Sequence, residues 1–440
     1  MGLLSSSLKS DLQKGNPSAY FLLEVDFPSG TRRYSKLGVS SSSQGHYEGR
    51  VLTFQPLLRS VSNASNSLEF LETQVTISDY DCAFASLLGK RERILNSDVR
   101  IYLGSANVAF SDWLTVFTGI LAQWESTAPM QWTLTLRTDD TILTSNATRV
   151  KINVYDWPDA HSDAIGATAP LLYGAHDSSG ETDTGAVPTL YVDTSGFRYA
   201  VCLGRAYSIP RVYVGGTLQT TGYSITYPVV GGRMWTLIDF TADKGSSAVT
   251  CDANGYETSG VAIGSLIVDP ADQLKHFLVN FVYGNYTSGA WLSDSTAPID
   301  TASFAAVKSF WSQRSNGGAY VGGRYIQDET TGKAEIDAWC QSFEVKVYFT
   351  GSGNLAIAVD DPNTDGSYIS DPWFRYPGDM LGDSSPTIRY EVDNTFSAVS
   401  VQTANQGAVN EFLVSFEVLD PLSSVDGTDE FQLTWGPHFV

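Results

Sequence analysis

Basic residues are scarce in this chain. Its 440 residues include 27 Lys and Arg against 48 Asp and Glu, a formal net charge of -21. A nucleic-acid clamp needs the opposite balance to neutralise phosphates, and a polybasic membrane binder needs a density of Lys and Arg that the chain lacks. Cysteine is scarcer still. Cys82, Cys202, Cys251 and Cys340 lie far apart with no CxxC pair, which argues against a disulfide-rich scaffold and a structural zinc site and predicts reduced, buried thiols. No run reaches the ~18 to 20 apolar residues of a membrane helix. The opening Met1-Gly2-Leu3-Leu4-Ser5 lacks the basic and apolar regions of a secretory signal, so the expectation is a soluble chain without membrane insertion.

Catalytic signatures are missing too. There is no Gly-x-Ser-x-Gly elbow, no Walker loop and no GxGxxG after a strand, and the five histidines (His46, His161, His176, His276, His438) form no HExxH. Carboxylates are plentiful, but glycosidase acids are recognised by a separation of about 5 to 10 Å in space, which a sequence does not display. The expectation is a protein that is not an enzyme and needs no cofactor.

Hydrophobic residues make up 42%, aromatics 12% and charged residues only 17%, the balance of a globular chain rather than a disordered one. The length predicts roughly two to four domains, because single cores stop growing near ~250 to 300 residues. Charge is unevenly spread. Residues 1–100 carry 11 basic and 10 acidic groups, whereas residues 341–440 carry 3 and 15. Such a field repels other polyanions, DNA included.

The pattern is mainly β with a smaller α+β part: tandem antiparallel barrel or sandwich domains, plus a domain of three amphipathic helices and a hairpin. In a first domain, 1–160, Phe21, Leu23, Val25 and Phe27 alternate with Tyr20, Leu22, Glu24 and Asp26, and Trp132, Leu134 and Leu136 alternate with threonines, the period of half-buried strands. Further strands are predicted at 68–77, 99–103 and 113–120, and one short helix at 81–88. A second domain, 161–262, opens with a Gly-, Ala- and Asp-rich connecting segment to about residue 185. Strands at 212–214, 223–227, 235–240 and 248–251 follow, with turns at Gly215-Gly216 and Gly231-Gly232. A third, 263–375, carries helices after the caps Asp269-Pro270 and Asp300 and another through Ile336, Trp339, Cys340 and Phe343. It then forms a hairpin from Val345 to Val359 around Gly351-Ser352-Gly353-Asn354. A fourth segment, 376–440, returns to strand alternation and is expected to complete a barrel.

Asp361-Pro362-Asn363-Thr364-Asp365-Gly366 opens like a calcium loop, with Asp361, Asn363 and Asp365 as candidate ligands. The closing bidentate Glu is replaced by Pro372, and a turn-forming acidic loop is the favoured reading. Tyr207, Tyr213, Tyr223, Tyr227 and Trp235 could stack on sugar, although such residues more often pack as strand core. The sequons at Asn63, Asn146 and Asn285 are read as chance matches.

Three segments together resemble the baseplate hub and tail-tip proteins of tailed bacteriophages, the class that includes the hub of contractile tails and the lambda-type tail-tip attachment protein. They are Val75-Thr76-Ile77-Ser78 with Val99–Gly104 and Val116–Gly119; Leu172-Tyr173-Gly174 with Ser208–Gly216; and Val268–Leu274 with Pro298–Phe304, a helix and the hairpin ending Gly353–Ile357. The resemblance implies a homotrimer whose barrels form a pseudo-sixfold ring, adapting a sixfold tail tube to a threefold tip within a virion assembled in the host cytoplasm. It further implies contacts with a tail tube or distal tail protein, a central fibre or tip protein and a tape-measure protein, and a lumen that passes DNA without specific binding. The sequence departs from the larger lambda-type members in ending at Val440 without their long extensions, and the expectation is that receptor recognition sits on a neighbouring polypeptide. The alternatives are a carbohydrate-binding receptor protein at the tail tip and, behind it, a glycan-degrading enzyme.

Overall fold

The computed structural model describes residues 5–359 except 13–18, 42–44, 56–70, 90–93, 106, 179–184, 262–263, 285, 287–289, 315–320 and 344, together with strand segments at 398–400, 405–406, 409–410 and 415–417. The chain divides into two units, one made of residues 1–60 and 66–360 and the other of 61–65 and 361–440. In the second, Ala398–Ser400 pairs with Ser415–Glu417 and Asn405–Gln406 with Val409–Asn410, both antiparallel.

The first unit begins with a short helix, α1 (Ser6–Leu12), and five strands, β1 (Ala19–Phe27), β2 (Gly30–Ser35), β3 (Val39–Ser41), β4 (Gly45–Gly49) and β5 (Val51–Phe54). After β6 (Glu72–Ser78) and α2 (Ala83–Gly89) come β7 (Asp98–Ser105), β8 (Leu114–Ala128) and β9 (Gln131–Arg137). All nine strands belong to one sheet, ordered β3-β4-β2-β1-β7-β8-β9-β6-β5. The path closes on itself. β4 pairs in parallel with β2, β5 pairs with β6, and β4 and β5 are one run of chain interrupted only at Arg50. The predicted barrel is thus present, filled by alternating side chains such as Val75 and Ile77 of β6, Leu134 and Leu136 of β9 and Phe117 of β8, each essentially buried. Fully burying a side chain of this kind stabilises by roughly 1.5–3 kcal/mol.

Two sequence expectations change here. The alternation in β1 predicts a half-buried strand, yet its second face is covered too: Leu22 is fully buried in a second cluster with Val39, Tyr47, Tyr102 and Trp113. β3 and β4 cover that face, and no local pattern announces them. The helix predicted at 81–88 starts at Ala83, because Asp79 rather than Asp81 accepts the N–H groups of Phe84 and Ala85, at 2.8 and 2.9 Å. Helix α1 was not anticipated at all; its buried Leu8 joins the barrel core.

After α3 (Thr141–Thr144), the segment read as a connector holds β10 (Leu171–Tyr173), all three residues buried, followed by β11 (Ala175–His176). The apolar stretch is too short to show a period, and tertiary burial makes it a strand. Then come β12 (Val187–Pro188), β13 (Leu190–Asp193), β14 (Arg198–Leu203), β15 (Ala206–Val214), β16 (Thr217–Gln219), β17 (Tyr223–Thr226), β18 (Val229–Val230), β19 (Arg233–Phe240) and β20 (Val249–Tyr256). They form two antiparallel sheets, one centred on β15 and β20 and the other on β14 and β19. Both predicted double-glycine turns close two-residue hairpins. Gly215 and Gly216, and likewise Gly231 and Gly232, all have φ between +55° and +78°, the left-handed pair that a right-twisted hairpin requires.

The last described part contains α4 (Pro270–Phe277), α5 (Thr301–Arg314), β21 (Arg324–Ile326), α6 (Gly332–Phe343) and the hairpin β22 (Val345–Phe349) and β23 (Leu355–Val359). Asp269 caps α4 through Ala271 N–H at 2.9 Å, with Pro270 at the first helical position. The predicted apolar face continues through Leu278, Phe281 and Val282, but there the backbone widens into a π-helix, Leu278–Val282, in which Tyr283 N–H bonds Leu278 C=O at 2.9 Å. β21 pairs with β10, which ties this part to the sheets.

Candidate functional site

The candidate metal ligands Asp361, Asn363 and Asp365 lie outside the described residues. The aromatic platform does not assemble: Tyr213 and Trp235 are buried, while Tyr207 is exposed and Tyr223 and Tyr227 are partly covered. Trp235 meets Trp157 edge-on at 5.5 Å, the Tyr213 hydroxyl reaches Asp252 at 3.3 Å, and Arg205 stacks on the Tyr227 ring at 4.1 Å. Of the four cysteines all are free, and Cys202, Cys251 and Cys340 are buried as expected, but Cys82 is exposed. It follows Asp79 in the turn before α2 with φ of 57°, and that turn faces solvent.

The buried carboxylates are occupied in holding the fold. Asp252, fully buried on β20, accepts the N–H and hydroxyl of Ser178 at 3.0 and 2.7 Å, the N–H of Ala186 at 3.2 Å and the guanidinium of Arg211 at 2.9 Å. Glu257, also fully buried, accepts three backbone N–H groups, from Ser259, Gly260 and Gly264, at 2.6 to 2.9 Å. Glu24 receives the Tyr47 hydroxyl at 2.7 Å and Arg33 Nε at 2.9 Å. Burial, followed by the bond to Glu24, pushes the Tyr47 phenol well up. Sequence reading missed all three, because their partners are separated in the chain or are backbone groups that carry no residue signature.

One contact closes the barrel, and two joints hold the parts of the first unit together. At the barrel closure, Arg50 grips both oxygens of Asp81 at 2.6 Å, pairs with Glu48 and lies 4.8 Å over the Tyr80 ring. The bond to Arg50 holds the Asp81 carboxyl far below its ordinary range. At the other end of the barrel strands, the tip of the β22–β23 hairpin meets β8, where the Thr118 hydroxyl donates to Gly351 C=O at 3.0 Å. A Cβ on Gly351 would collide with the Thr115 carbonyl oxygen.

The second joint lies between β10, β20 and α4. His276 is buried in a box of Tyr173, Tyr256, Phe281 and Trp291, the Trp291 ring at 4.4 Å. Its Nδ1 lies 2.9 Å from the Tyr173 hydroxyl, and Nε2 has no hydrogen-bond partner among the described residues. Burial, with a smaller contribution from neighbouring Lys275, lowers its pKa from 6.5 to about 3, so the imidazole is neutral. His276 C=O accepts from the Asn280 side chain at 3.0 Å, and Asn280 in turn accepts from Leu292 N–H at 2.8 Å, fixing the π-helical turn.

Among the described residues no group of three or more His, Cys, Asp or Glu side chains is arranged to hold a metal ion. No helix among them is long and apolar enough to cross a membrane. The arrangement supplies packed joints and exposed surfaces.

No family model and no curated protein matches the chain. One similar solved structure is a chain of the virion of a native gene transfer agent particle, 16% identical, with a TM-score of 0.27, matching 56% of this chain and 82% of that one.

Proposed function

We propose that this protein is a structural component of a phage-like virion, a baseplate or tail-tip hub that assembles as a trimeric ring at the end of the tail tube. The observation that carries the reading is a coincidence of sequence and fold. The segments that resemble hub proteins fall on the closed barrel (β6, β7 and β8), on β10 and β15, and on the α4, α5 and hairpin elements that dock against barrel and sheets. Ring symmetry would use strand edges and exposed apolar residues as subunit contacts. The acidity of the later chain would keep DNA from adhering to the conduit walls. Tail-tube, tip and tape-measure proteins are the partners this role implies, and no catalytic step is assigned. The carbohydrate alternative loses support because Tyr213 and Trp235 are buried.

Electron microscopy of the purified protein at high concentration, and of particles that contain it, tests the proposal. A threefold ring at the tube's end is expected. A strictly monomeric protein, with no ring in particles, would refute it.

A further inference from the structure

The hairpin of β22 and β23 is built as one stiff finger. Its strands pair from Val345↔Val359 to Phe349↔Leu355, and its tip is closed by bonds from Thr350 N–H to Asn354 C=O at 2.8 Å and from Gly353 N–H to Thr350 C=O at 3.0 Å. The finger belongs to the helical part. Leu355 N–H bonds Pro298 C=O at 2.7 Å, Asp300 N–H bonds Leu355 C=O at 2.8 Å, and Ile357 N–H bonds the Ser303 hydroxyl of α5 at 3.1 Å. Against the barrel it makes, among the described residues, the one hydrogen bond from the Thr118 hydroxyl to Gly351 C=O.

The tip lands where the barrel sheet breaks its register. Along β7 and β8 the pairs run Ile101↔Phe117 and then Tyr102↔Thr115, so Val116 is the extra residue of a bulge, which bends its strand locally. Gly351 seats there so closely that a Cβ would collide with the Thr115 carbonyl oxygen and stand 3.0 Å from that of Val116. The seat fits bare backbone. The chain's own link between barrel and later part is short: Thr138 N–H still bonds Leu71 C=O of the barrel at 3.0 Å, while Ala147 N–H already bonds Thr330 C=O of the later part at 2.9 Å. Between them Asp139 is exposed, and Asp140 has φ of -103° and ψ of 2°, in the sparsely populated bridge region. Arg137 pairs with Asp140 at 3.3 Å across the link, a partly exposed ion pair that adds little.

We propose that the finger is a catch: seated on the Val116 bulge it fixes the direction of the barrel, and lifted off it frees the barrel to turn about Asp139 and Asp140 as a folded body. Each side keeps its packing in either state. The barrel core is drawn from Leu8 to Leu136, within the barrel's own chain, and the finger stays bonded to the start of α5. Release costs one hydroxyl bond and a close backbone contact, whereas parting the finger from the helical part would break three bonds. A partner that touches barrel and later part together makes its full contact in one state of the catch, and so shifts its population. The inference does not depend on the hub reading.

The test is pulsed electron paramagnetic resonance on the full chain, with nitroxides on native Cys82 and at the exposed α5 position changed by Ala305→Cys; Cys202, Cys251 and Cys340 are buried and stay unlabelled. The seated catch should give one narrow distance with a minor fraction elsewhere. Thr118→Val keeps the shape of the side chain and should raise that minor fraction about fivefold, the worth of one hydroxyl bond. Gly351→Val, whose side chain cannot enter the seat, should make the other distances dominant, while amide exchange at Val75, Ile77, Leu134 and Leu136 stays as slow as in wild type. A narrow, unshifted distance in Gly351→Val overturns the catch, because something else then fixes the barrel. Faster exchange at those four amides overturns it too, because the contact then belongs to the barrel's own fold. A Thr118→Val distribution equal to wild type overturns the part given to the hydroxyl bond.

Discussion

Acid should loosen the joint at His276 before it touches most of the fold, and the size of the effect follows from burial. An unfolded histidine takes up its proton near pH 6.5, whereas in the folded protein burial delays protonation to about pH 3. The folded pKa is depressed, so stability is complete above pH 6.5 and drains away as pH falls toward 3. Each pH unit inside that window costs about 1.4 kcal/mol, which makes roughly 2 kcal/mol at pH 5 and of order 5 kcal/mol at the lower limit. Against a typical total of ~5–15 kcal/mol, such a loss is decisive. Other acids titrate as well, so the measurement compares wild type with Tyr173→Phe/His276→Phe. Removing both partners of the 2.9 Å bond leaves neither one stranded, and such paired replacements can be nearly neutral. Denaturant unfolding followed by tryptophan fluorescence suits the site, since Trp291 packs on the imidazole and Trp339 on Tyr173. The two proteins should match near pH 7.5 and diverge by about 2 kcal/mol at pH 5, the double variant being the more stable. Parallel pH profiles for the two would refute a buried neutral His276.

Three further outcomes are expected. Asp252→Ala should destabilise the sheets by roughly 3 kcal/mol or more, because it strands the Ser178 and Ala186 donors and one buried contact of Arg211; an unchanged unfolding midpoint would contradict that role. Gly351→Val should lift the hairpin off β8, read as faster hydrogen exchange in 345–359 with the barrel core still protected. A thiol reagent should label Cys82 alone in the native protein and all four cysteines after denaturation, since burial raises the Cys202 and Cys340 thiols to about 12 and shields Cys251; native labelling at Cys251 would argue against the sheet packing.

Local rules were enough wherever one residue's environment repeats along the chain. Val75 and Ile77, or Leu134 and Leu136, alternate because one face of each strand fills the barrel. Asp269-Pro270 announced its helix because cap and first turn are adjacent in sequence. Gly215-Gly216 and Gly231-Gly232 announced their hairpins because the turn itself demands left-handed residues. In each case the physical cause spans fewer than about ten residues.

What the sequence determined by itself was therefore the mainly β character, the position of most strands, the three helices of the later part and the hairpin after them. Tertiary structure decided the rest. Closure of the barrel at Arg50, burial of Leu22 and Tyr173, the knot around Asp252 and the isolation of His276 all depend on groups brought together across the chain. Distant burial and pairing set the energies of those residues, and neither leaves a period for a sequence to display.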